Sequence, residues 1–489
     1  MESFYVQNFG CRATQADGAA IERQFRELGL ERAGAPSMAG IVVLNTCTVT
    51  ASADQDARAA IRRIHRENPG CRIVVTGCYA QRAPEELATL PGVSQVIGNS
   101  HKHRLAEIAE IGPRTSDFRL RPGSQARDFV PLLELVGEEQ GPASEARSQV
   151  YVSNIFAHTE LLAAPVFDAA NERTRPNLKV QDGCDNRCSF CVIPYVRGQS
   201  RSLPLSRVLR EVNALVESGY REVVISGINL GRWGRDFVWG GRPRPPRFED
   251  LVRAILSETS LERLRISSVE PMDWSDELIQ MMAESPRIAK HAHVPMQSGS
   301  DRVLRAMHRK YRPWHYREKI EKIRDAMPPA SIGADVMVGF PGETTAEFEE
   351  TRRMVEELPF TYLHVFTYSA RPRTPAAALR DQVPVHVTRE RNRILRELAA
   401  EKKLAFMRGF VGQTVEAITL QSPHSLSSRA ELDDLRTNQS GEVEGPVVFT
   451  EALTDNYLKL RLEGRHEANR WVEARVEDVV NGALIGTLS

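Results

Sequence analysis

Cys184, Cys188 and Cys191 form a C-x3-C-x2-C run immediately after a short strand-like segment, residues 177–181. Three thiolates this close in sequence can hold three irons of a [4Fe-4S] cube, which leaves the fourth iron without a protein ligand and open to chemistry. A zinc knuckle is the competing reading. Zinc sites of that kind bring a fourth Cys or His nearby, and the next His after Cys191 is the distant His291. The spacing therefore favours a cluster.

A second constellation is spread over the first eighty residues. Cys11, Cys47 and Cys78 each follow a short apolar, β-branched run, at 4–9, 41–46 and 72–77, and helical patterns at 15–28 and 53–66 lie between them. Such a βαβαβ unit folds as an open parallel sheet, and the carboxyl ends of its strands share the edge where ligands bind. Three thiols 36 and 31 residues apart in sequence can thus converge. Cys71 is the contrast: it opens the third strand, and seven residues at about 3.3 Å each place it roughly 23 Å from Cys78. The seven cysteines divide into three, three and one.

The first run, with Phe190 before its last Cys, resembles the signature of radical S-adenosylmethionine enzymes. Two three-cysteine sets on one chain resemble, more narrowly, the methylthiotransferases. The segments Asn8-Phe9-Gly10-Cys11, Asn45-Thr46-Cys47-Thr48-Val49-Thr50, Thr76-Gly77-Cys78 and Gln181-Asp182-Gly183-Cys184 carry that likeness. It implies two [4Fe-4S] clusters, on Cys11, Cys47 and Cys78 and on Cys184, Cys188 and Cys191, with S-adenosylmethionine bound at the second and Phe190 near its adenine. In such enzymes the cofactor is cleaved to a 5′-deoxyadenosyl radical. Asn-Thr-Cys-Thr-Val-Thr and Gly-Cys-Tyr-Ala-Gln look most like the members that modify threonylcarbamoyladenosine in tRNA, at carbon 2 of the adenine beside the anticodon. Sister groups act on isopentenyladenosine or on an aspartate of a ribosomal protein. An iron–sulfur RNA-binding regulator without turnover is the reading from another class.

The elements that must position these groups follow an α/β pattern. After a Rossmann-like βαβ domain (1–112) and a linker or insert (113–175), residues 176–405 alternate strand and helix. Strands are expected at 177–181, 222–226, 263–267, 291–295, 332–338 and 362–366, with helices such as 205–218, 275–284 and 344–357. Six βα units make a partial TIM-like barrel, and eight would close it, so one side is open to a macromolecule. Polar and glycine residues collect at the carboxyl ends of these strands, which is the active face of such a barrel. By resemblance Ser226, Gly227 and Asn229 contact the methionine part of the cofactor, Ser268 and Glu270 the ribose side and Gly339 the adenine, while Gln297 lies on the same face.

Residues 409–489 read as short strands, 415–420, 447–450, 458–462 and 471–476, of a small antiparallel β-barrel. Its position resembles the TRAM module that binds RNA in this family. Its charge is awkward for that role, with seven Lys plus Arg against thirteen Asp plus Glu from Gly409 onward. Residues 302–324 carry nine Lys or Arg with Tyr311, Trp314 and Tyr316 among them, so cations and rings for an anticodon stem-loop are expected there, on Arg309, Lys310, Arg312 and Trp314. A second mixture runs from Arg232-Trp233-Gly234-Arg235 through Phe237, Trp239 and Arg242 to Arg244 and Arg247.

Composition adds compartment and little else. The 489 residues are 41% hydrophobic and 26% charged with zero net charge, which suits a soluble protein and gives no general argument for nucleic acid. No apolar run suggests a membrane span or a signal peptide, so a cytoplasmic enzyme is expected, with reduced thiols, no membrane and no DNA partner, fed by an electron donor such as a flavodoxin-type protein.

Overall fold

The computed structural model describes residues 3–110, 148–158, 174–238, 244–421 and 448–489, and these fall into two compact units. The first spans Met1–Leu162 together with Val192–Gln199, and the second spans Ala163–Cys191 and Ser200–Ser489.

The first unit is built on β1 (Ser3–Asn8), β2 (Glu31–Arg32), β3 (Ile41–Thr46), β4 (Arg72–Gly77), β5 (Val93–Gly98) and β6 (Gln149–Tyr151). Their order in the sheet is β2-β1-β3-β4-β5-β6 and every pairing is parallel. Parallel sheets are covered on both faces, so their strands are apolar on both sides. Ile41 and Val43 pack with Ile21 and Phe25 of the helix Arg12–Glu27, while Val42 and Leu44 pack with Ile61 and Ile64 of the helix Ala51–Glu67. The second helix starts where Thr50 Oγ1 accepts the Ala53 N–H at 3.2 Å. Three strands exceed the sequence expectation. β2 is two residues long, β5 is bounded by glycines, and β6 comes from the stretch expected to be a linker. The rest of that stretch, apart from residues 148, 152–158 and 174–175, lies outside the described residues.

The second unit contains β7 (Asn177–Asp182), β8 (Arg201–Ser202), β9 (Glu222–Gly227), β10 (Arg263–Ile266), β11 (His291–His293), β12 (Ser331–Val338) and β13 (Tyr362–Thr367). All six expected barrel strands form, with helices Leu205–Glu217, Asp276–Glu284 and Thr345–Glu357 among those between them. The strands hydrogen-bond as β10-β9-β7-β8 and β11-β12-β13, and isolated parallel bridges Leu264↔Ile288 and Ser268↔His293 cross the seam. β8 runs antiparallel to β7 and was not expected.

A 24-residue helix, Val385–Arg408, leads to the terminal strands β14 (Thr414–Thr419), β15 (Phe449–Thr454), β16 (Lys459–Glu463), β17 (Trp471–Val480) and β18 (Ala483–Leu488). They close as β14-β15-β16-β18-β17. The expectation of an antiparallel barrel needs one correction, because β16 and β18 pair parallel. The strand β18, which is not among the runs named from the sequence, lets the barrel close. No described helix is long and apolar enough to cross a membrane.

Candidate active site

Parallel register brings the ends of β1, β3 and β4 level: Asn8 pairs with Asn45, and Thr46 with Gly77. Cys47 and Cys78 follow those ends directly and Cys11 follows one turn later. Gly10 has φ +106°, and a Cβ there would stand 2.7 Å from Cys47 Cβ, so only glycine lets the Cys11 loop lie so close. Burial pushes the Cys47 thiol up to about 12, and the nearby Cys78 and Cys11 thiols add to the effect. That mutual influence marks convergence. Cys11 is exposed, whereas Cys47 and Cys78 are buried. Asn99 Nδ2 approaches Cys78 Sγ at 3.6 Å and the Val49 N–H points at Cys47 Sγ at 3.5 Å. Behind them Asp17 accepts from Lys102 and Arg197, both at 3.0 Å, and Asn45 donates to Asn8 and to the Thr14 carbonyl. Cys71 packs in the core among Ile64 and Ile73, at the opposite end of β4.

In the second unit the loop after β7 carries Cys184, Cys188 and Cys191, all half-buried. Gln181 at the strand end organises it. Its amide donates to the carbonyls of Asp182 and Gly183 and to Ser200 Oγ, and its oxygen accepts the Asn229 N–H at 2.7 Å. A Cβ on Gly227 would stand 2.9 Å from that oxygen, which is why the β9 end needs glycine. The far side of the loop is pinned where Ser189 donates to the backbone of Met307 and Ala306. Burial pushes the Cys184 thiol up to about 11, opposed by the Asn186 N–H and raised further by Cys188 and Glu270.

The sequence reading placed Arg309 on an RNA-facing surface. That is corrected: Arg309 is 7% exposed, its Nη1 stands 3.1 Å from Cys188 Sγ, and its Nη2 pairs with Glu270. Burial opposes its charge, but Tyr311, Glu270 and Cys188 hold the guanidinium above its ordinary range. Tyr311 and Tyr316 are likewise buried, donating to backbone carbonyls of Pro295, Met296 and Val294, so neither ring is available for stacking. Trp314 is 57% exposed and Lys310 is exposed, while Arg312 is half-buried and pairs with Asp301. In the second mixture Trp233 is core, and Arg232 and Arg235 both hold Asp273. Arg244 pairs with Asp250 and Arg247 with Glu277, while Trp239 and Arg242 lie outside the described residues. No spacing rule marked Arg309, because a cation beside aromatic residues reads the same whether it faces solvent or a thiol.

The remaining expected residues gather at the strand ends. Ser226 Oγ, Asn229 Oδ1 and Gln297 Oε1 are buried without a hydrogen-bond partner among the described residues, and buried polar atoms rarely stay so unless a ligand or water serves them. Asn229 also points its amide at Cys184 Sγ, 3.7 Å away. Gln297 has φ +64°, a costly conformation for a non-glycine residue that tends to be kept where function requires it. Ser268 is half-buried at the bridge to His293. Phe190 packs against Val303, Met307, Met337 and Phe340. Gly339 differs from the rest, since its N–H is taken by Glu343 at 2.7 Å and its missing Cβ makes room for Thr388 Oγ1. Three sulfur donors beside orphaned polar atoms suit an iron–sulfur cluster with an amino-acid-bearing ligand.

Residues 178–355 match the Radical SAM superfamily, and residues 3–98 match the Uncharacterized protein family UPF0004. The chain is 32% identical to the threonylcarbamoyladenosine tRNA methylthiotransferase of Aquifex aeolicus, over 96% of this chain and 99% of that protein. It is 33% identical to the tRNA-2-methylthio-N(6)-dimethylallyladenosine synthase of Novosphingobium aromaticivorans, over 89% of this chain and 94% of that one. Among solved structures, the radical S-adenosylmethionine methyltransferase TsrM from Kitasatospora setae, with cobalamin and a [4Fe-4S] cluster bound, aligns with a TM-score of 0.50 at 14% identity, over 77% of this chain and 74% of that one. At that identity the likeness is one of fold.

Proposed function

Because this chain belongs to the radical S-adenosylmethionine tRNA methylthiotransferase family, we propose that it adds a methylthio group to carbon 2 of the adenine of threonylcarbamoyladenosine in tRNA. Its cofactors are S-adenosylmethionine and [4Fe-4S] clusters. The likeness to the Aquifex enzyme along 99% of that enzyme's length carries the choice of nucleoside. The Novosphingobium relative favours dimethylallyladenosine as the second reading.

Cys184, Cys188 and Cys191 are the proposed ligands of one cluster and Cys11, Cys47 and Cys78 of the other. When bound, the first with S-adenosylmethionine supplies one-electron cleavage chemistry that removes an unactivated hydrogen, and the second supplies sulfur. The chain's own residues hold the parts. Arg309 orients Cys188 and Glu270 together, so a carboxylate and a sulfur ligand keep a fixed relation. Ser226, Asn229 and Gln297 offer the buried polar atoms that a methionine moiety needs, and Phe190 lends an apolar wall. Trp314, Lys310 and Arg312 remain the proposed RNA-facing group. A cytoplasmic location and a flavodoxin-type electron donor complete the reading.

Mass spectrometry of tRNA nucleosides from cells with and without this chain tests it. Loss of the methylthio form of threonylcarbamoyladenosine alone is the expected result. Loss of the dimethylallyl product instead selects the second reading.

A further inference from the structure

The strands β11, β12 and β13 carry polar groups that no step above uses. Register pairs Asp335 of β12 with His364 of β13, and His293 of β11 with Gly333 of β12. Gly333 has no side chain to stand between the strands. A Cβ there would fall 1.9 Å from the Tyr362 ring, so that ring lies across the gap, 6.0 Å from His293 and 5.4 Å from His364 between centroids. The result is that one donor atom each from His293, Asp335 and His364 lies within 4.8 Å of the others.

We propose that His293, Asp335 and His364 form a binding site for a divalent transition-metal ion of the zinc class. Three observations carry it. First, the donor set is two imidazoles and one carboxylate, which suits zinc or iron(II) and disfavours the oxygen-seeking magnesium and calcium. Second, His293 is 9% exposed and neither of its ring nitrogens makes a hydrogen bond to any described residue, so an ion would take up one of two orphaned atoms. Third, His293 Nε2 stands 3.4 Å from Asp335 Oδ1 without forming a hydrogen bond. Two donors each about 2.0–2.1 Å from a tetrahedral ion stand roughly 3.4 Å apart, whereas a hydrogen-bonded Asp–His pair closes to about 2.8 Å. The spacing fits an intervening ion better than a proton.

Burial is graded across the site: His293 is buried, Asp335 half-buried and His364 exposed. An ion held there has three protein ligands and keeps at least one position facing solvent, the arrangement of sites that bind water or an exogenous oxygen ligand.

The test uses the full chain with its clusters assembled, so that the six proposed cluster thiols are occupied. The protein is equilibrated with zinc, dialysed against a weak chelator and analysed by elemental mass spectrometry, alongside Asp335→Asn, which keeps the side-chain volume, and His364→Ala, which changes an exposed residue. The wild type is expected to retain about one zinc per chain and both variants almost none. Cobalt(II) in the same protein should give ligand-field bands of a nitrogen and oxygen site without a thiolate charge-transfer band. Equal zinc in all three proteins, no zinc in the wild type, or a thiolate band with cobalt would each overturn the assignment.

Discussion

Arg309 is the side chain on which the geometry of the second cysteine loop turns. It is buried between a thiol and a carboxylate, so removing it leaves Glu270 and Cys188 without their shared cation. Losing one partner of a fully buried ion pair costs about 3–5 kcal/mol; Glu270 is a quarter exposed, so about 2 kcal/mol is the better expectation here. Arg309→Ala should therefore destabilise the fold modestly and reduce S-adenosylmethionine cleavage strongly, and Arg309→Lys, which cannot span both groups with a planar fork, should restore little of that activity. Cleavage at the wild-type rate in both variants would show the guanidinium to be a bystander. The cysteines separate by assay. Replacing Cys184, Cys188 and Cys191 by Ala should remove about half of the reconstituted iron, and replacing Cys11, Cys47 and Cys78 the other half, if each set holds one cube. Cys71→Ala should change iron little. The Cys11, Cys47, Cys78 variant should also keep cleaving S-adenosylmethionine while yielding no methylthio product in an anaerobic single-turnover assay; product at the wild-type level would refute the donor role.

Strands and helices are where the sequence was most readable, and the reasons are local. β3 opens with Ile-Val-Val-Leu, apolar on both faces with three of its four residues β-branched, the pattern of a buried parallel strand. The helix Thr345–Glu357 announces itself with Thr344 and Glu347, whose side chains cap each other's backbone. The short β2 and β8 carry no such signal, because two residues have no period and exist only through their neighbours. The site divides in the same way. The cysteines follow from spacing and strand ends, whereas Arg309 and the unusual backbone of Gln297 arise from packing between elements far apart in sequence. Packing between elements also sets the price of change at Gly333. Its Cβ would overlap the Tyr362 ring, which is also held by His291 Nε2 at 2.7 Å. Gly333→Ala must push that ring aside, and overpacking of this kind costs about 1–3 kcal/mol. A lower midpoint in urea with an unchanged slope is the expected outcome; an unchanged midpoint would mean that the ring swings freely.

At the scale of the whole molecule, the charge of the terminal barrel finds an explanation in what its acids touch. Glu416 and Asp455 both pair with Arg263 of β10, and Arg265 donates to the carbonyls of Asp455 and Thr454. Those acids fasten one barrel to the other within the second unit, and part of the negative charge is neutralised in doing so. The same accounting weakens the 302–324 segment as a phosphate surface. Arg302 pairs with Glu347, Arg305 with Asp301, Arg317 with Glu357, and Lys319 and Lys322 with Asp276. Arg309 is buried and Arg312 is half-buried against Asp301, so Lys310, beside the exposed Trp314, is the cation best placed to reach a phosphate, with Arg312 able to join it only by leaving Asp301. Each Lys or Arg that neutralises a phosphate steepens the fall of log affinity with log salt by roughly 0.7–0.9. Changing Lys310 and Arg312 together to Ala should thus flatten the salt slope of tRNA binding by about 1–2, and Trp314→Ala should weaken binding with the slope unchanged, since stacking releases no counterion. Arg309→Ala supplies the contrast. It should leave the slope where it is while cleavage of S-adenosylmethionine falls. A slope that flattens in Arg309→Ala and holds in the Lys310, Arg312 variant would move the RNA to the cysteine loop and reverse the roles assigned to these neighbours.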